Sequence, residues 1–306
     1  MDIVGKRKWF FIVTAVLILI CIISLATVGL KTGVEFSSGS MLTVGFENEI
    51  AADELKEYLA STEHSSALIQ RMGTGDFIIR TMELDEAAKD QLMAGLESEF
   101  GAVELKEFNN VTPMVASETA RNAAIAVLVA AVAMLLYIAW AFRRMPNPFR
   151  FGICAIAGLA MDTILALGVF SILGNVMVLE INLMFITGVL AVIGYSINNT
   201  VVVFDRVREN ITRGVHADFS DIVNTSIVQT LSRSVNTSLT TLITLLALIL
   251  FVGASIQNFV IVLIIGVVSG LFSSTCIAPT LLVEWHKRSG RKSVGRSSSV
   301  EVRARS

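Results

Sequence analysis

Among 306 residues there are only three cysteines, four prolines and three histidines, and just 16% of the side chains carry charge. Three cysteines cannot build a disulfide framework, and Cys21, Cys154 and Cys276 each lie in an apolar run, where free cysteine packs as a small hydrophobe. So little proline, beside 21 glycines, excludes collagenous and low-complexity chains. His64, His216 and His286 stand singly, and the chain has no H-E-x-x-H helix, C-x-x-C pair or G-x-x-x-x-G-K-[ST] loop. No metal site, nucleotide site or enzymatic activity is therefore expected. What abounds is apolar sequence: 54% hydrophobic residues and a mean hydropathy of +0.70 read as a polytopic membrane protein.

A bilayer core about 30 Å thick needs roughly 20 apolar helical residues. Uncharged windows of that length fall at 9–30, 122–142, 151–173 and 181–204, the third interrupted only by Asp162. Between Arg233 and Glu284 lie 50 uncharged residues, enough for two more spans at 237–253 and 258–283 joined near Gly253 to Asn258. Six transmembrane helices result. The start of the chain, a basic stretch before an apolar run and Ser24-Leu25-Ala26, also fits a cleaved signal peptide. Its 22 apolar residues exceed the usual length of such a run and favour a retained anchor.

Basic loops resist translocation and so indicate the cytoplasmic side. Seventeen of the 24 Lys and Arg residues lie in segment 1–8, between spans two and three, between spans four and five, or in the tail 284–306. Both termini are therefore predicted cytoplasmic. Segment 31–121 falls outside with 7 basic and 17 acidic residues, so the net charge of −2 conceals two opposed charge domains. No basic nucleic-acid surface is supported, and the basic tail suits anionic membrane lipid better.

The exported segment reads as one small domain. Strands at Met41–Phe46, Ala67–Arg71, Phe77–Met82 and Val103–Phe108 alternate with helices at Ala51–Leu59 and Leu84–Phe100, with Gly73-Thr74-Gly75 turning a hairpin. That β-α-β-β-α-β order is ferredoxin-like, two helices covering one face of a four-stranded sheet. The other face is expected to be open, to an extended peptide or to a partner subunit.

Charge at mid-bilayer is costly, so Asp162, the one acid within a span, is a candidate functional group. Asn198 and Asn199 in span four form a second polar site, able to hydrogen-bond between helices but not to carry a proton at neutral pH. Arg233 either bends toward those amides or snorkels to the headgroups. Asp205, Arg206, Arg208 and Glu209 cap span four and pair locally. Gly194 and the G-x-x-x-G pair Gly266 and Gly270 suit close helix approach. Within the loop 205–236, Phe219, Ile222, Val223, Ile227, Val228 and Leu231 share one helical face, predicting an amphipathic helix on the membrane surface.

The run GYSINNTVVVFDRVREN, Gly194 to Asn210, resembles the signature of SecF, the protein-export membrane subunit of the SecD/SecF family. Gly33-Val34-Glu35-Phe36 with Ser38-Gly39-Ser40, Val111-Thr112-Pro113 and Leu231 to Ser238 are similar to further family segments, and six spans with one exported domain after the first is the family's layout. The resemblance implies a multi-pass subunit of the cytoplasmic membrane, half of an RND-like assembly completed by SecD and working beside the SecYEG channel on exported preprotein. It implies no cofactor and no ATP hydrolysis, the drive being a proton or sodium gradient through polar groups that include Asp162, Asn198, Asn199 and Arg233. Two positions depart from the family. Asn199 stands where aspartate, the acid held to carry the ion, is common, and Met161 stands where histidine precedes the aspartate. Both changes remove titratable groups, which implies either coupling through SecD, Asp162 or oxygen-coordinated sodium, or a structural half without coupling. Half of a small-molecule exporter is a further alternative, although such an exporter needs larger external domains.

Overall fold

A run of apolar residues crossing lipid must satisfy every backbone group within itself, and in a computed structural model of the chain each of the six apolar runs is helical. The structure describes residues 1–65, 67–72, 75–145, 147–177, 179–216, 218–251 and 254–288. Gly73 and Thr74 of the hairpin turn, Gly253 between spans five and six, and most of the basic tail lie outside the described residues.

Helix α1 (Arg7–Thr27) is the first span. A short helix α2 (Val34–Ser37) leads to the sheet through Ser38 at φ 64° and Gly39 at φ 121°. A Cβ on Gly39 would lie 2.6 Å from the Thr81 carbonyl oxygen, so only glycine fits there. Then come β1 (Gly39–Phe46), α3 (Ala52–Ser61), β2 (Leu68–Arg71), β3 (Phe77–Thr81), α4 (Glu86–Phe100) and β4 (Val103–Val111). All three strand pairs are antiparallel and the order is β2-β3-β1-β4, which is ferredoxin-like. Period-two alternation sends Leu42, Val44, Phe77 and Ile79 toward Leu55, Leu59, Leu92 and Leu96 of α3 and α4 to form the domain core.

The second span, α5 (Pro113–Ala141), starts nine residues before the expected 122. Thr112 caps it by accepting from the Val115 amide, Pro113 occupies the first turn, and no breaker follows before Asn122. Helices α6 (Pro148–Met177) and α7 (Leu183–Arg213) follow. Asn182 Oδ1 caps α7 at 2.9 Å from the Phe185 amide, and Gly214, left-handed at φ 64°, ends it. At the opposite end of α6, Phe142, Phe151 and Phe204 stack together and clamp α5, α6 and α7.

The expected loop 205–236 carrying a separate surface helix is not found. α7 continues nine residues past Phe204, and α8 (Phe219–Phe251) runs unbroken from the supposed surface helix into span five. No glycine or proline interrupts it, and Thr230, Thr237, Thr241 and Thr244 satisfy their hydroxyls on carbonyls one turn back. The apolar face of its first turns is not spread on lipid. Ile222, Val223 and Ile227 are buried against Ile3, Val4, Val203, Val207 and Val283. Helix α9 (Ala254–Phe272) passes through a π-turn, Ser273–Ile277, and the sixth span continues to Arg288. Spans three, four and six bury half or more of their apolar windows inside the protein, whereas spans one, two and five bury less than a fifth.

Candidate functional site

Asp162 lies on α6 and is 1% exposed. Its Oδ2 accepts from Ser196 Oγ of α7 at 2.7 Å and from Ser273 Oγ of the π-turn at 2.8 Å, while Oδ1 has no hydrogen-bond partner among the described residues. Glycines let the three helices close around it. A Cβ on Gly270 would meet Ser196 at 3.2 Å, one on Gly158 would meet Ser273 at 3.7 Å, and Gly266 leaves no room for any side chain against Val192. Gly266 and Gly270 thus form the α9 side of the seam with α7. Gly194 does not belong to that seam: a Cβ there would meet nothing within 4 Å.

The two span-four amides do not form one site. Successive residues of an α-helix point about 100° apart, and Asn199 is buried with an unpartnered Nδ2 whereas Asn198 faces outward. Arg233 also faces outward, with no ion pair among the described residues, and so bends to neither amide. Tyr195 Oη, hydrogen-bonded to Ser238 Oγ at 3.2 Å, joins α7 to α8. Flanking that contact, Gly194 and Asn198 of α7 and Arg233, Asn236, Thr237, Thr240 and Thr244 of α8 leave an exposed polar surface on apolar spans.

At the end of the bundle away from the sheet, Asp205 pairs with Arg208 at 2.6 Å, and Glu209 pairs with Arg206 and with Arg213. Arg206 also donates to Gln229 Oε1 at 2.7 Å, and Asn210 Nδ2 donates to Ser226 Oγ and Gln229 Oε1, tying the extended ends of α7 and α8 together. Asn224 Oδ1 receives the Ile3 and Val4 amides, so the N-terminus is fixed to the same assembly.

At the sheet end, Ile181 donates its amide to the Lys31 carbonyl and accepts from the Gly33 amide, both at 2.8 Å, and Asn258 Nδ2 donates to the Glu180 carbonyl. The Glu180 side chain, 3% exposed, forms an ion pair with Arg80 of β3. Burial pulls the Arg80 guanidinium below its ordinary range, with the Glu35 carboxylate acting in the opposite direction. This pair and the serines around Asp162 are the functional groups that sequence reasoning missed. Glu180 was visible as a lone acid between two apolar runs, but its partner lies a hundred residues away on a strand.

The family model for protein-export membrane protein SecD/SecF, C-terminal, matches residues 92–288. The chain belongs to the SecD/SecF family. It is similar to protein translocase subunit SecF of Thermobaculum terrenum, 39% identical over 299 residues and 94% of each chain. The corresponding subunit of Anaerolinea thermophila is 36% identical over 93% of this chain and 94% of its own. Among solved structures, SecDF from Thermus thermophilus, described as a translocon-associated membrane protein, aligns with a TM-score of 0.84 at 30% identity. That alignment covers 94% of this chain but only 39% of the SecDF chain. A second SecDF structure, in a super-membrane-facing form, aligns at TM-score 0.69 and 28% identity over 97% of this chain and 40% of its own. Family membership and six apolar helices make the chain a multi-pass cell-membrane protein with a role in protein translocation.

Proposed function

We propose that the chain is one half of an intramembrane pair whose other half is a SecD-type unit, and that the pair uses the transmembrane ion gradient, without ATP hydrolysis by this chain, to assist preprotein export beside the SecYEG channel. The observation that carries this is the bare polar surface at Gly194, Asn198, Arg233 and Asn236. Polar and charged side chains within a span face protein or water rather than lipid, so this surface suits a partner helix. Both termini and the α7–α8 extension would lie in the cytoplasm, where the basic segments resist translocation and can meet anionic lipid.

Asp162 is the ion-coupling group of this half in our reading, because Asn199 cannot titrate and Asp162 is the one acid enclosed within the spans. Moving one charge through 100 mV yields about 2.3 kcal/mol, enough to displace a two-state equilibrium of the external domain. Cysteine at Asn198, in the full chain co-expressed with a SecD-type chain, is expected to cross-link to it, with cysteine at lipid-facing Leu128 as the negative control. Equal cross-linking at both positions would defeat the pairing. In proteoliposomes holding both halves and the channel, Asp162→Asn is expected to remove the stimulation of export by an imposed proton or sodium gradient.

A further inference from the structure

At the end of the bundle away from the sheet, the turn between α5 and α6 and the last turns of α7 border an open cleft of about 700 Å³. Three guanidiniums line it, Arg144 of the turn and Arg208 and Arg213 of α7, together with two carboxylates, Asp205 and Glu209. Four of these five are committed: Arg208 pairs with Asp205, and Arg213 shares Glu209 with Arg206. Arg144 is exposed and has neither an ion pair nor a side-chain hydrogen bond among the described residues. The lining therefore keeps one positive charge in excess.

The cleft opens where the apolar spans end. Trp140, one turn before Arg144, and Phe149, just beyond the turn, are both 61% exposed, and aromatic side chains at the ends of spans sit at the level of the lipid headgroups. The cations around the cleft are held in place on rings. The Arg143 guanidinium lies 5.2 Å from the centroid of Trp140, and that of Arg208 lies 6.0 Å from Phe142, itself fixed in the stack with Phe151 and Phe204.

The charges exclude several ligand classes. Both carboxylates already serve arginines, and among the described residues no three Asp, Glu, His or Cys side chains converge on a metal-sized point. A polyanion such as a nucleic acid would meet Asp205 and Glu209 alongside the arginines, whereas a single phosphodiester is matched by the one spare guanidinium, whose planar fork suits phosphate oxygens. The rest of the headgroup follows from the acids. A cationic group would have to displace Arg208 or Arg213 from its carboxylate, but hydroxyls can donate to the lone pairs that a paired carboxylate keeps free.

We propose that this cleft is a binding site for the headgroup of an anionic phosphoglycerol lipid, its phosphodiester on Arg144 and its glycerol hydroxyls on Asp205 and Glu209. Only the leaflet, the cytoplasmic one, rests on the orientation proposed above.

The test uses the full chain carrying Trp9→Phe and Trp285→Phe, so that Trp140 alone fluoresces, in phosphatidylcholine nanodiscs with a minor fraction of phosphatidylglycerol brominated close to the headgroup. Quenching of Trp140 is expected to show this lipid enriched about tenfold or more over equally brominated phosphatidylcholine, the effect of one hydrogen bond to a charged group. Brominated phosphatidylethanolamine is expected to show no enrichment. Arg144→Gln should abolish the enrichment, and Arg144→Lys, which keeps the charge without the fork, should remove most of it. Arg150→Gln deletes the same charge from the same end of the bundle but outside the cleft lining, and should leave the enrichment unchanged. Quenching that follows mole fraction, equal losses in Arg144→Gln and Arg150→Gln, or equal enrichment of the ethanolamine lipid overturns the proposal. A Trp140 response to soluble glycerol phosphate or to oligoglutamate that Arg144→Gln abolishes, with no enrichment of the lipid, assigns the cleft to a soluble phosphate or an acidic polypeptide and overturns it as well. Both leaflets of a nanodisc have the same composition, so a failure of the orientation reading leaves this measurement unaffected, and its own failure leaves the pairing at Asn198 standing.

Discussion

Removing one member of the Arg80–Glu180 pair leaves a charge stranded between the sheet and the bundle, which ordinarily costs 3–5 kcal/mol. The Arg80 side chain retains 15% exposure, so water reaches it and the lower end applies, about 3 kcal/mol. At 1.4 kcal/mol per factor of ten, Arg80→Ala or Glu180→Ala is expected to raise the undocked fraction of the sheet domain roughly a hundredfold. The Gly33 and Ile181 amides report it, because each is bonded between the segment after α1 and the loop before α7. Their hydrogen exchange, measured on the full chain in nanodiscs, should accelerate by that factor in either single variant. The double replacement strands no charge and should return to within about 1 kcal/mol of the unaltered chain, giving a coupling of about 5 kcal/mol. Single and double variants that exchange alike would refute the reasoning, since the pair would then contribute nothing beyond the side chains' separate packing.

Five further variants test other contacts. Asp162→Ala leaves the Ser196 and Ser273 hydroxyls without their acceptor and is expected to cost about 2–4 kcal/mol in thermal unfolding, whereas Asp162→Asn keeps an acceptor oxygen and should cost about 1 kcal/mol or less. Gradient stimulation retained in Asp162→Asn would end the case for Asp162 as the coupling group. Gly266→Val drives a side chain into Val192 at the α7–α9 seam and should cost about 1–3 kcal/mol, while Gly194→Val, on the bare surface, should leave the melting temperature of the isolated chain unchanged but weaken its association with a partner. Gly39→Ala combines φ 121° with a Cβ 2.6 Å from a carbonyl oxygen, and a loss of about 1–3 kcal/mol is expected at the melting transition.

The number of spans and the β-α-β-β-α-β order were legible because each rests on a local rule, twenty apolar residues for a bilayer and period-two alternation for a strand. The length of α7 and α8 was not. An amphipathic face looks the same in sequence whether it covers lipid or protein, and Ile222, Val223 and Ile227 turned out to cover Val203, Val207 and the N-terminus. The different directions of Asn198 and Asn199, about 100° apart, follow from helical geometry. Placing Asn199 inside needs the further knowledge that Ser196 and Val203 on the same stripe are buried, and that is a fact of packing. Ser273 could not be matched to Asp162 across 111 residues, nor could the π-turn that carries it be read from Ser273-Ser274-Thr275. Local chemistry marked the acid, and only the fold supplied its partners.

The polar groups within the spans divide by whether this chain alone can satisfy them. Asp162, Ser196 and Ser273 are enclosed by α6, α7 and the π-turn, with one carboxylate oxygen left over. The exposed threonines of α8 satisfy themselves on their own helix. Asn198, Asn236 and Arg233 do neither among the described residues, and lipid offers them nothing. A chain that needed only to anchor the sheet domain would have no use for such a surface, because apolar side chains there would cost less. The same division separates the roles of the two neighbouring amides. Asn199, buried and one turn from Ser196, lies on the stripe that carries a hydrogen bond to Asp162, the group proposed here to answer the gradient, whereas Asn198, bare and one turn from Gly194, can respond only to whatever packs against that face.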